Sequence, residues 1–151
     1  DDIASAKLPW FSRAILYMSD FSSIISARRR NYRVLDEHLE ENSHIRKVLS
    51  PLPDNVCPWA YALWLKNRGK YDHQLRSLGV PVFTFGDVLH PLLFKSDDRI
   101  VAPAGALAKN LLMIPVHQNL NEDEVLSFCE TVNLFFYNLD ETKKRISRAV
   151  S

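Results

Sequence analysis

Five histidines, His38, His44, His73, His90 and His117, are the side chains best suited to proton transfer or metal ligation near neutral pH. No two of them share a helix face at the spacing a bound metal needs, so no metal centre is expected. The two cysteines, Cys57 and Cys129, lie far apart among apolar neighbours and match neither a zinc spacing nor a disulfide framework. Both are expected to be buried, inert thiols. No serine sits in a nucleophile-elbow pattern, and four glycines leave no material for a phosphate-cradling loop. Two places remain. His90 lies in the long stretch Asp87-Val-Leu-His-Pro-Leu-Leu-Phe94, and loops of such length in compact domains often carry function, which makes it a candidate to line a site. Arg28, Arg29, Arg30 and Arg33 form a basic run followed by Asp36, Glu37, Glu40 and Glu41. On a helix these charges read as a solvated face with weak pairs one turn apart; the alternative is that one arginine of the run lines a site. His117, at a strand-to-helix junction, reads as a residue that positions the turn.

Composition narrows the classes. The chain has 151 residues, 46% hydrophobic and 25% charged, enough to bury one compact core. Its 19 basic and 18 acidic side chains give a net charge of +1, which lacks the basic footprint of a nucleic-acid binder. No apolar run reaches the roughly 18 residues of a membrane span. A cytoplasmic protein is the expectation. The chain opens Asp1-Asp2-Ile3-Ala4, its first methionine is Met18, and no signal-peptide pattern precedes it, so it reads as a piece of a longer polypeptide.

Periodicity supplies the elements that must hold these residues. From about Leu8 to Glu41, Phe11, Ile15, Met18, Ile25, Tyr32, Leu35 and Leu39 stack along one face of a long helix, with a possible bend at Ser22 and Ser23. A second stripe of Ala14, Tyr17, Phe21 and Ile24 makes the front half more apolar than one contact face requires. A proline-containing loop leads to alternating Trp59, Tyr61, Leu63 and Leu65, a strand pattern. A short helix over about residues 70–78 closes at Gly79. Residues 80–85 form a second strand with Pro81 at its entry or on a sheet edge. A helix from Pro103 to Leu111 and a third strand over Leu112–Val116 follow. Asn121 and Glu124 have the spacing of a capping box, Leu120 and Val125 that of a hydrophobic staple, and Val125, Phe128, Cys129, Val132, Phe136 and Leu139 give the last helix one apolar stripe. From Lys143 the tail is basic and expected to fray. The fold class is α+β: a long N-terminal helix, then a small three-stranded sheet covered by helices.

Several of these segments, in order, resemble the C-terminal part of the DegT-like sugar aminotransferases, pyridoxal-phosphate enzymes of fold type I (aspartate aminotransferase-like). Arg28-Arg-Arg-Asn-Tyr-Arg-Val-Leu35 resembles the arginine-rich helix between the large and small domains. Pro58 to Arg68 resembles the first small-domain strand, and Leu75-Arg-Ser-Leu-Gly-Val-Pro81 the next helix end and turn. Leu89-His-Pro91 resembles the histidine-proline of the substrate-side loop. Residues 108–125 resemble the late helix, the leucine-proline strand and the acidic start of the last helix. The likeness runs from about Asp20 to Leu139.

The resemblance implies three regions: an interdomain helix over 1–42, a small domain over 43–140 and a basic tail over 141–151. It also implies a parent enzyme with pyridoxal phosphate, acting on a nucleotide-linked sugar and forming a homodimer, with no metal, nucleic-acid or membrane partner. The cofactor machinery would sit in the large domain of the same polypeptide. Lys7, Lys66, Lys70, Lys95 and Lys109 are not in the family's cofactor-lysine context, so this chain alone is expected to bind no cofactor, to hold no catalytic residue and to be inert. Its share would be a wall of the substrate pocket, with His90 first, then Arg30 and Asn31, as substrate-binding residues. The loop around Gly86-Asp-Val is less aromatic than the family pattern, which leaves the substrate open. The alternative is a non-catalytic α+β interaction or dimerisation module.

Overall fold

The computed structural model describes residues 9–84 and 101–150. His90 and the loop around Gly86 lie outside them. The elements run α1 (Trp10–Met18), α2 (Phe21–His38), β1 (Ile45–Lys47), β2 (Ala60–Leu65), α3 (Arg68–Ser77), β3 (Phe83–Thr84), α4 (Val101–Asn110), β4 (Leu111–Pro115) and α5 (Glu122–Val150). The sheet order is β1-β2-β4-β3 and every neighbouring pair is antiparallel.

Four strands among the described residues, rather than three, is the first correction to the expected fold. The extra one, β1, has a single buried apolar residue, Ile45, opposite Leu65 of β2. One apolar position gives no period to detect. The Pro81 expectation holds, since Pro81 precedes the edge strand β3; β4 ends at Pro115 rather than running on to Val116.

One face of the sheet carries the core. Tyr61, Leu63 and Leu65 of β2 and Leu112 and Ile114 of β4 pack with Tyr32 and Leu35 of α2, Tyr71 and Leu75 of α3, and Val125, Cys129, Val132 and Phe136 of α5. Alternation sends Ala60, Ala62 and Trp64 to the other face, where they are half-buried. Gly79 ends α3 with φ +86°, the left-handed conformation in which a side chain is disfavoured.

The long N-terminal helix is in fact two. Ser19 is extended, and Asp20 starts a new helix by accepting the Ser23 N–H at 3.0 Å. The break falls three residues earlier than the serine pair suggested, because aspartate is a strong N-cap. The excess of apolar surface at the front is as expected: α1 buries none of its residues, with Trp10 80%, Tyr17 87% and Met18 86% exposed.

At the other end the expected frayed tail is helix. α5 continues through 150, well past Phe136, its last buried position. Residues 141–150 contain no glycine or proline to stop it, and an exposed Lys144–Glu141 pair at 2.8 Å lies along it. At its start the capping box forms as read: Asn121 N–H donates to Glu124 at 2.8 Å and Glu124 N–H to Asn121 Oδ1 at 2.8 Å.

Candidate functional site

The second half of α2 organises the surface where site residues were sought. Successive residues on a helix turn by about 100°, so a run of arginines fans outward instead of forming one stripe. Arg28 Nε donates to Gln118 Oε1 at 2.9 Å. Arg29 Nη1 donates to the carbonyls of Pro53 (2.9 Å) and Val56 (2.6 Å). Arg30 reaches Asn31 Oδ1 through Nε and Nη2, and the Leu120 carbonyl through Nη2 at 3.4 Å. The expected pairing with acids one turn away is replaced by bonds to loops distant in sequence. Unpaired loop carbonyls offer acceptors whose satisfaction removes a desolvation cost, whereas exposed helix ion pairs gain little.

Of the three residues expected to bind substrate, the structure brings Arg30 and Asn31 together at the start of the buried part of α2. Arg30 is exposed, and Asn31 is wholly buried. The Asn31 amide Nδ2 donates to the carbonyls of His117 (2.9 Å) and Leu120 (3.2 Å), so it clamps α2 to the turn ahead of α5. His117 positions that turn as expected, its Nδ1 accepting the Asn119 N–H at 3.2 Å.

Beside this surface the chain 49–59 closes over the core edge. Tyr32 Oη donates to the Leu49 carbonyl. Asp36 accepts from Tyr61 Oη at 2.8 Å and Ser50 Oγ at 2.9 Å, and its carbonyl takes Lys47 Nζ. The Tyr32 and Tyr61 rings, with centroids 4.6 Å apart and tilted by 56°, are held neutral. Burial, then the Asp36 charge, pushes Tyr32 up to about 12. Burial, then the Asp36 hydrogen bond, raises Tyr61 further. An apolar cleft of about 240 Å³ opens here between Leu52, Val56, Cys57, Trp59 and Met113. Its walls suit a hydrophobic group, and its Tyr32 hydroxyl is already engaged.

Cys57 corrects the expectation that both thiols are buried. It is exposed on the cleft, while Cys129 is buried and its thiol is pushed up to about 11 by burial. Apolar neighbours in sequence put Cys129 inside because its helix has a core face; the 49–59 loop has none. In the native chain Cys57 is expected to react with a thiol-specific disulfide reagent at least about a hundredfold faster than Cys129, and both are expected to react together after unfolding. Equal native rates, read by mass spectrometry of the labelled chain, would contradict this assignment.

Lys66, Lys70, Lys109, Lys143 and Lys144 are exposed, and Lys47 is spent on the Asp36 carbonyl. Among the described residues, no cleft is lined by a buried lysine. Among the described residues no group of three histidine, cysteine or carboxylate side chains is placed to hold a metal, and no helix is long and apolar enough to cross a membrane.

With this geometry in hand, comparison with known proteins gives one consistent result. No family model and no curated protein matches the sequence. Solved structures do. The aminotransferase TlmJ from Streptoalloteichus hindustanus superposes with a TM-score of 0.66 at 20% identity, over 79% of this chain and 33% of its own. The sugar aminotransferase CalS13 from Micromonospora echinospora gives 0.57 at 20% identity, over 76% of this chain and 31% of its own. A GDP-4-keto-6-deoxymannose-3-dehydratase with a trapped PLP-glutamate geminal diamine gives 0.55 at 18% identity, over 73% and 31%. The fold is that of the small domain of DegT-type sugar aminotransferases. The chain spans about a third of the length of the enzymes it matches. Identities this low speak for the fold alone.

Proposed function

We propose that this chain is the small domain of a pyridoxal-phosphate-dependent aminotransferase acting on a nucleotide-linked sugar, that it forms part of the substrate-pocket wall, and that it is inert without the large domain of the same polypeptide. The observation that carries this reading is the pairing of a small-domain fold with a bare apolar helix α1 at the end where a large domain would join. Exposed apolar area of this extent marks an unfilled interface. In the parent enzyme, a cytoplasmic homodimer on this reading, residues 1–42 would lie between the two domains. Pyridoxal phosphate, held by the large domain, supplies the electron sink for amino transfer. The part left to this chain is to orient the sugar and exclude water.

Three residues divide that part. His90, which follows β3 in sequence, contacts the substrate. Arg30 offers an exposed guanidinium suited to an anionic group. Asn31 holds Arg30 in place through its Oδ1. In the parent enzyme, His90→Ala is expected to lower kcat/KM by about tenfold or more, in turnover if the contact forms in the transition state and in the Michaelis constant if it is uniform. Both constants unchanged would overturn the role of His90.

The bareness of α1 also favours a second reading, a non-catalytic module that pairs with another copy through this helix. The natural reading frame upstream of Asp1 separates the two: a cofactor-binding domain encoded there supports the enzyme, and a start codon directly before Asp1 supports the module.

A further inference from the structure

Away from the α2 surface, a buried imidazole faces two groups that it cannot serve together. His44 precedes β1, and its side chain is 6% exposed. Its backbone is fixed on both sides, with Asn42 Oδ1 accepting the His44 N–H at 2.8 Å and the His44 carbonyl accepting the Lys66 N–H at 2.9 Å. The ring stacks on Phe136 at 5.4 Å and meets Tyr71 edge-on at 5.7 Å. Its Nε2 stands 3.0 Å from Asp140 Oδ1 and 3.0 Å from Lys143 Nζ, and those two atoms are 4.0 Å apart. Ser43 Oγ adds long contacts to the same carboxylate at 3.4 and 3.5 Å.

A carboxylate can only accept a hydrogen bond and an ammonium can only donate one. One ring nitrogen therefore satisfies Asp140 when it carries a proton and Lys143 when it does not. We propose that His44 is a proton-operated selector on α5. With Nε2 bare, the neutral ring carries its proton on Nδ1 and accepts from Lys143. Protonated at both nitrogens, it donates to Asp140, gains a cation–π contact with Phe136, and repels Lys143 into solvent. The charged groups facing the ring are Asp140 and Lys143 from α5; α3 presents the Tyr71 phenol ring, and the end of β2 presents the Lys66 backbone. Histidine is the side chain that makes this exchange between about pH 5 and 8. The state of His44 thus decides whether Lys143, two turns before the exposed end of α5, is tethered or free.

The test is long-range ¹H–¹⁵N correlation of the His44 ring in the 151-residue chain across that pH range. The neutral ring is expected as the Nδ1–H tautomer. Lys143→Met should move the neutral ring's proton to Nε2, where it donates to Asp140, and Asp140→Asn should leave it on Nδ1. Amide spectra of both variants check that the fold is retained, and the tautomer reading needs no variant. A neutral ring protonated on Nε2 in the parent chain, or a proton that the folded Lys143→Met variant leaves on Nδ1, would overturn the selector.

Discussion

Asn31→Ala is expected to lower the unfolding free energy by about 2–4 kcal/mol, read by urea denaturation with an unchanged m-value. Asn31 is 0% exposed and is the polar pin between α2 and the turn ahead of α5. Truncation removes both amide bonds to the carbonyls of His117 and Leu120. It also leaves a void in a polar site and deprives Arg30 of its Oδ1 acceptor. The two carbonyls keep weaker partners, the Leu120 N–H at 3.1 Å and Arg30 Nη2 at 3.4 Å, which caps the loss below that of fully orphaned groups. Arg30→Ala, by contrast, removes an exposed group and should stay within about 1 kcal/mol of the parent stability. The pair separates the two kinds of role on this surface. A large loss for Asn31 with little for Arg30 fits an anchor beside a free contact residue; similar small losses would show that the α2–turn clamp contributes nothing.

The larger effect should come from Phe136→Ala, about 3–5 kcal/mol by the same measurement. Phe136 is 1% exposed and stands where three elements meet: α5, α3 through Tyr71, and the segment ahead of β1 through His44. Its ring meets Phe135 at 4.9 Å and Tyr71 at 5.6 Å, both edge-to-face, an arrangement that adds to simple area burial. Removing it leaves a cavity that rigid aromatic neighbours cannot refill. Phe136→Leu, which keeps much of the volume, should recover a large part of the loss. A cost below about 1 kcal/mol for the alanine variant would mean that the α5 stripe is not the core face described here.

What could be read from residues alone follows from how local each signal is. The α5 capping box is a contact between positions three apart, so its spacing shows in the sequence and forms in the structure. The alternation of Tyr61, Leu63 and Leu65 showed β2 for the same reason. The surplus apolar face at the front of the chain was also legible, because it exceeded what the rest could cover. Signals carried by tertiary contact were silent. β1 owes its existence to pairing with β2 rather than to its own three residues. The arginines of α2 choose loop carbonyls 24 to 90 positions away, and no local rule nominates those partners. His44 and Asp140 are 96 residues apart, and neither had a local feature to single it out. Cys57 misled because its apolar neighbours belong to a loop with no core face. The α5 tail departs from the expected fraying because, for all its basic composition, it contains nothing that breaks a helix. The family resemblance reached further than periodicity here, since the order of weak segments along the chain encodes a fold that no single segment specifies.

The proposed reading places the cofactor-holding part of the enzyme outside this chain, and its direct test is incubation of the isolated chain with pyridoxal phosphate and an amino donor, followed by borohydride reduction and peptide mapping. The predicted result is scattered, substoichiometric labelling of exposed lysines with no amino group transferred. One lysine labelled stoichiometrically, together with turnover between donor and acceptor, would contradict it.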